Sequence, residues 1–178
     1  MKVLKRIFLI IFFINFITTS VFSKEPIDFI TEITSSASSI LKENISVEQK
    51  ADKLVFLAED AVDIKGIGLY SLGKYRKEID KETLERYNKI FKKYFLKSFS
   101  SRLSQYSDPK IDVISQNVVN EKYTIVSSIL IETSERPEIK IDWRVYTKDQ
   151  NKPLIRDLII EGLSLARTQK EEFNSVIQ

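Results

Sequence analysis

The residues best placed to do chemistry are five charged groups on two neighbouring strand-like runs: Asp142 and Arg144 on one, Arg156, Asp157 and Glu161 on the next. Two carboxylates beside a guanidinium can act as a general acid/base pair. Strand alternation, however, puts Asp142 and Arg144 on the wet face, where cross-strand pairing accounts for them without catalysis. The 178 residues include no His and no Cys. That excludes a Ser-His-Asp triad, a cysteine nucleophile and the ordinary zinc and haem sites. A carboxylate-only metal site, or a hydrolase using Asp157 and Glu161, survives on composition, and no further feature supports either. The chain is read as a non-enzyme, with no catalytic residue, metal or cofactor.

Other chemistry-bearing patterns are weaker. Lys92, Lys93 and Lys97 interleave with aromatics, as in some nucleic-acid binders; acids elsewhere, the neutral mature chain and the expected export signal favour a solvated helix face, and no nucleic-acid partner is expected. Gly66 and Gly68 are too isolated for a phosphate loop. The most informative feature is apolar. Leu84, Tyr87, Phe91, Tyr94, Phe95, Phe99, Leu103 and Tyr106 fall on one face of a long helix. Such a stripe is ordinarily core, packed here on a sheet, and its sharper reading is the lining of a cavity for an apolar ligand.

The elements that must position these residues divide at Pro109. Before it, Ile27, Ile30, Ile33, Ala37, Ile40 and Leu41 recur at helical spacing. A second helix follows Ser46, whose spacing to Gln49 suits a capping box. A short segment from Ile64 to Leu72 ends at Gly73, and the long helix starts after Asp80. After Pro109 the reading changes to strands. Ile111, Val113 and Val118 form a weak one, and Tyr123 to Ile131 a stronger one. Ile139, Ile141, Trp143 and Val145 alternate with polar or amphipathic residues, and Leu154 to Ile160 is the last run. Short gaps favour antiparallel meanders. Leu163 to Ile177 returns to helix, capped by Ser164. The pattern predicts an α+β fold: a helical N-terminal half and a curved antiparallel sheet covered by helices. One domain is expected over 24–178, with a helical lobe over about 24–107 and the sheet plus C-terminal helix over about 108–178.

Residues 1–23 are expected to be a cleaved signal peptide. Lys2, Lys5 and Arg6 precede the apolar run Ile7 to Ile17, and Val21 and Ser23 suit the −3 and −1 positions of a cleavage site. The core is short of the roughly 20 residues that cross a bilayer. The whole chain carries 28 Lys and Arg against 25 Asp and Glu. Removing three bases and no acids leaves a neutral mature chain, so strong electrostatic binding to nucleic acid or anionic lipid is not expected.

Segment order is more telling than any single residue. Ile67-Gly68-Leu69-Tyr70-Ser71-Leu72-Gly73-Lys74-Tyr75 precedes Glu85-Arg86-Tyr87-Asn88-Lys89-Ile90-Phe91 and Tyr94-Phe95-Leu96-Lys97-Ser98-Phe99. Then come Ile141-Asp142-Trp143-Arg144-Val145, Arg156-Asp157-Leu158-Ile159-Ile160-Glu161-Gly162-Leu163-Ser164-Leu165 and finally Gln169-Lys170-Glu171-Glu172-Phe173. This order resembles the MlaC family of periplasmic phospholipid-binding proteins, also called the toluene-tolerance auxiliary family. The resemblance spans nearly all of the mature chain. Its most specific parts are the Leu-Gly-x-Tyr segment, the Asp-x-x-x-Glu-Gly-x-Ser segment and the C-terminal Phe. Two positions depart from it: Arg76 and Arg156 stand where the family favours aromatics.

The resemblance implies a periplasmic shuttle that carries phospholipid between an outer-membrane lipoprotein complex and an inner-membrane ABC transporter bearing an MCE-domain protein. The acyl chains would lie between sheet and helices, and a hopanoid is the alternative cargo. About 30 methylenes at ~0.8 kcal/mol each need on the order of 20 kcal/mol of shielding, in an apolar cavity of up to about 1,000 Å³. By helical phase and strand alternation the expected lining is Tyr70, Phe91, Phe95 and Phe99 from helices, and Val126, Ile129, Trp143, Val145, Leu158 and Ile160 from strands. Val126 and Ile129 are alternatives, since opposite faces of a strand cannot line one cavity. The competing reading is an exported adaptor module with a solid core.

Overall fold

The computed structural model describes residues 24–134, 136–149 and 151–177; the expected signal segment lies outside these. The chain begins with helix α1 (Pro26–Lys42), started by a proline whose missing N–H costs nothing in the first turn. Helix α2 (Val47–Ala61) opens with the expected capping box: the Gln49 N–H donates to Ser46 Oγ (3.2 Å) and the Ser46 N–H to Gln49 Oε1 (3.0 Å). Helix α3 (Ile64–Leu72) is capped by Asp63, which accepts the Gly66 N–H at 2.9 Å. It stops at Gly73, whose φ of +57° is the left-handed conformation glycine tolerates. A 3-10 turn (Gly73–Lys77) leads to the long helix α4 (Lys81–Leu103), where Asp80 accepts both the N–H and the hydroxyl of Thr83.

The second half forms β1 (Ile111–Asn120), β2 (Tyr123–Leu130), β3 (Ile139–Tyr146), β4 (Leu154–Ile160) and the short β5 (Leu163–Ser164), followed by helix α5 (Leu165–Ile177). The strands pair antiparallel in sequence order, the meander that the short gaps predicted. Register slips after Val113 and Val118 on β1, and between Arg144 and Val145 of β3 opposite β4, mark bulges, which twist and curve a sheet. On β2 burial alternates: Thr124, Val126, Ser128 and Leu130 are buried, and the residues between them are half-buried.

Helix α1 covers the β1–β2 side of the sheet. Its Ile27 N–H donates to Gln116 Oε1 (2.9 Å) and its Ser38 hydroxyl to the Pro109 carbonyl (2.8 Å), so it lies along β1 towards that strand's beginning. Phe29 and Ile30 close over Val126, Val145 and Ile155 in one hydrophobic cluster. Burying each such side chain contributes about 1.5–3 kcal/mol. A second cluster joins the helices to each other: Ala58, Ile64, Ile67, Phe91 and Leu96. Here the structure differs from the expectation that the long helix packs on the sheet. The main partners of α4 are α2 and α3. A one-sided apolar stripe records that a face is covered, not which element covers it.

The two clusters meet at the α2–α3 junction. Val62 packs against both. The Asp63 N–H donates to the Ile155 carbonyl (2.9 Å), and its carboxylate binds Arg156 Nε (2.5 Å). Arg156 also donates to Tyr123 Oη (2.8 Å), and its guanidinium lies 3.5 Å from the Tyr146 ring centroid.

At Gly68 α3 and α4 approach closely: a Cβ there would lie 2.8 Å from Phe91 Cδ1. Gly68→Val is therefore expected to lower unfolding free energy by about 2 kcal/mol through overpacking, despite the better helix propensity of valine. Shortening the opposing ring with Phe91→Leu should recover part of that loss. Urea unfolding of the single and double variants checks this, and an unchanged single variant would contradict the close approach.

Candidate functional site

The helix-facing side of the sheet changes character along its length. At one end Val126 and Val145 are fully buried and Ile155 nearly so. At the other, Ile141, Trp143, Leu158 and Ile160 are only half-buried, although register puts them on the same face: Trp143 lies opposite Val126 and Leu158, and Ile141 opposite Ile160. Trp143 is the chain's only tryptophan. Its indole N–H donates to Ser128 Oγ (2.8 Å), and the Ser128 hydroxyl reaches the Ile141 carbonyl (3.2 Å). Ser128 is wholly shielded. The polar edge of the indole is thus satisfied within the sheet, leaving its apolar body partly open.

The α4 aromatics form a stacked row. Phe91 and Phe95 have ring centroids 6.2 Å apart, Phe95 and Phe99 5.9 Å, the latter pair nearly parallel at 9°. Phe91 is buried among the helices, with Phe173 of α5 edge-on against it at 5.9 Å. Phe95 and Phe99 are half-buried. Beside the row, Tyr87 donates to the Gly68 carbonyl (2.9 Å), and burial pushes its phenol pKa up.

Topology brings the end of α4 to the half-open end of the sheet. After α4 the chain enters β1, whose first residue pairs with Leu130 at the end of β2. Arg136, between β2 and β3, lies over the Tyr106 ring at 5.6 Å. Lys42 at the end of α1 pairs with Asp108 at 2.8 Å. A concavity of about 420 Å³ opens here, lined by Arg102, Gln105 and Tyr106. A second, of about 330 Å³, lies elsewhere and is lined by Gly73, Lys74, Tyr75, Lys170 and Asn174.

The ten residues expected to line a cavity therefore separate. Trp143, Leu158 and Ile160 share the half-open strand face, and Phe95 and Phe99 lie on α4. Phe91, Val126 and Val145 sit in closed packing, with half-buried Trp143 against the cluster of the two valines and Phe95 and Phe99 against that of Phe91. Ile129 is half-buried on the opposite face of β2, across from Lys140. Tyr70 is 42% exposed, with the Lys170 ammonium 5.1 Å from its ring centroid. Neither concavity is bounded by any of the ten. Sequence reasoning passed over Ser128 and Asp63. The signal for Ser128 was a polar residue in phase with buried ones; Asp63 was legible only as a cap.

The charged cluster has structural occupations. Asp157 is buried and accepts the Ser164 hydroxyl (2.6 Å) and the Ala166 N–H (3.0 Å), while Ser164 Oγ accepts the Arg167 N–H (3.1 Å). Asp157 and Ser164 together cap α5, and a carboxylate there also complements the helix dipole. Between them Glu161 and Gly162, with φ of +48° and +82°, make the two-residue hairpin turn joining β4 to β5. Asp142 accepts the Ser127 hydroxyl (2.6 Å) and lies 3.4 Å from Lys140 Nζ. Lys92 pairs with Glu59 at 2.7 Å.

Residues 31–178 match the family described as MlaC protein. This chain belongs to the MlaC family. It is also similar to the solved structure of a phospholipid-binding protein from Ralstonia solanacearum, determined in complex with a phospholipid. The TM-score is 0.74 with 18% identity, over 86% of this chain and 88% of that one. At that identity the likeness establishes the shared α+β fold. The three segments that carried the MlaC resemblance now have physical roles here. Leu72-Gly73-Lys74-Tyr75 ends α3, Asp157 to Ser164 builds the β4–β5 turn and the α5 cap, and Phe173 locks α5 onto the α4 aromatics.

Asp157→Ala should cost about 2–3 kcal/mol of stability, because it removes two hydrogen bonds to a buried carboxylate. Urea unfolding gives that number, and limited proteolysis should show cleavage beginning in α5. A variant as stable as the parent would show that the cap does not anchor this helix.

Proposed function

We propose that the chain is a lipid carrier that shields phospholipid acyl chains between the half-buried strand residues Ile141, Trp143, Leu158 and Ile160 and the Phe95–Phe99 face of α4. The observation that carries this reading is the uneven cover of one sheet face: closed under α1 at Val126 and Val145, with Trp143 packed against that cluster, and half-open on β3 and β4 at Ile141, Leu158 and Ile160. Apolar surface left partly wet costs roughly 25 cal/mol per Å², which a hydrocarbon chain laid against it would recover. Membership of the MlaC family supports the reading, as does a similarly folded Ralstonia protein that was determined with a phospholipid. The long helix is attached mainly to other helices, so it can part from the strands to admit a chain without unzipping the sheet.

In its finer form the proposal places the mature chain in the periplasm after loss of residues 1–23. There it exchanges phospholipid between an outer-membrane lipoprotein complex and an inner-membrane MCE-type ABC transporter. Such work needs shielding and release rather than bond chemistry. A solid-core adaptor is the second reading, and the closed packing of Phe91, Val126 and Val145 favours it.

Two measurements decide between them. Native mass spectrometry of the purified protein should show one lipid per chain, and extraction should identify phospholipid rather than a hopanoid. Vesicles containing acyl-brominated phospholipid should quench Trp143 emission, since the heavy atoms would come to rest beside the sole indole. Lipid-free protein together with unquenched emission would leave the adaptor.

Ile160→Asp should abolish loading. Because an unpaired buried charge also destabilises, by several kcal/mol when fully buried, the thermal midpoint is followed in parallel. A folded Ile160→Asp protein with normal lipid content would place the hydrocarbon elsewhere.

A further inference from the structure

We propose that the concavity between the 3-10 turn and α5 is a binding site for a phosphate group. It measures about 330 Å³ and is lined by Gly73, Lys74, Tyr75, Lys170 and Asn174, the lower end of the size range of small-molecule sites. Lys74 and Lys170 both line it, from chain segments almost a hundred residues apart. The Lys74 Nζ stands 5.2 Å from the Tyr75 ring centroid and the Lys170 Nζ 5.1 Å from that of Tyr70. An ammonium resting on a ring face is positioned there while its N–H donors remain available.

Neither lysine forms an ion pair with a carboxylate among the described residues. Glu172, close by in sequence, instead accepts from Gln169 Nε2 at 3.2 Å. The negative end of the α3 dipole, which opposes an anion, accounts for one cation beside Gly73. It does not account for a second delivered by α5, whose stem is packed down rather than waving in solvent. The Lys170 Cε lies 3.3 Å from where a Cβ at residue 73 would sit, so the left-handed glycine also makes room for this side chain. Lys74 is exposed and Lys170 half-buried at this concavity, and a phosphate group seated there would accept from both. Tyr75 and Asn174 line the same space and carry further hydrogen-bond donors. Tyr70, placed by sequence with the lipid-lining residues, acts here as the support for Lys170. The site stands apart from the proposed acyl-chain cleft and does not depend on it.

The test uses ¹⁵N-labelled purified protein at low ionic strength, following the Gly73, Tyr75 and Asn174 backbone amides. One arm titrates inorganic phosphate and glycerol 3-phosphate; the other adds phosphatidylglycerol vesicles and measures co-flotation. Saturable shifts with the soluble phosphates show that a free phosphate group suffices. Binding to vesicles alone, weakened as below, shows that the phosphate must be lipid-borne; both outcomes support the site. The Lys74→Gln/Lys170→Gln variant should weaken either response about tenfold, equivalent to ~1.4 kcal/mol, with an unchanged thermal midpoint. No saturable response in either arm, an equal response to sodium chloride, or an undiminished response in the double variant would overturn the proposal. Because the readout is phosphate at this pocket, a lipid-free result in mass spectrometry leaves it standing, and the reverse also holds.

Discussion

The rest of the structure depends on how a single aspartate is used at the turn between α2 and α3. Asp63 gives its N–H to β4, its carboxylate to the first turn of α3 and the same carboxylate to Arg156. Arg156 spreads the attachment to Tyr123 and Tyr146 on two further strands. Both partners are largely shielded, so the pair belongs with ion pairs whose partial loss is costly rather than with exposed ones worth little. Arg156 stands where the MlaC resemblance favours an aromatic residue, and its guanidinium stacks on Tyr146 as an aromatic ring could. The departure therefore keeps a flat contact and adds an anchor for the helices.

With the helices fastened at that corner, and α5 fastened to β4 by Asp157, the long helix needs no direct hold on the strands. Its cohesion comes from apolar packing on Ala58, Ile64 and Ile67 of α2 and α3 and from edge-on contact with Phe173 of α5, helped by a glycine that lets Phe91 lie against the α3 backbone. This leaves the β3–β4 part of the sheet's apolar face only partly covered, at Ile141, Leu158 and Ile160. In a protein with a solid core such a gap would be a loss without return. In a carrier it is where a hydrocarbon chain is exchanged for water. The Ser128–Trp143 hydrogen bond suits that use, since it removes the indole's need for a polar partner inside the gap.

Much of the architecture was legible because it is local. Ser46 with Gln49, Asp80 with Thr83, Gly73 and Ser164 each act through groups within a few residues, so their types and spacing were enough. The alternation of Ile139, Ile141, Trp143 and Val145 likewise reported which face is covered. The candidate site was less legible. Phe91 and Phe95 are neighbours on one helical face, yet one is buried and the other half-open. Val126 and Trp143 are cross-strand partners with the same contrast. Periodicity ranks residues by side of an element; it carries nothing about how far the opposite layer stands away.

An α+β chain without His or Cys, its division at Pro109, its caps and its meander can all be read from the order of residues, as can the MlaC resemblance, in segments that serve as turns and helix ends. That α1 rather than α4 covers the sheet, that Tyr70 supports a lysine at the surface, and that Asp157 caps a helix emerge only once the layers are packed. Capping and strand alternation are settled by near neighbours and so are written in the chain. Cover, close approach and charge pairing are settled by whichever distant segment arrives, and that depends on every layer packing at once.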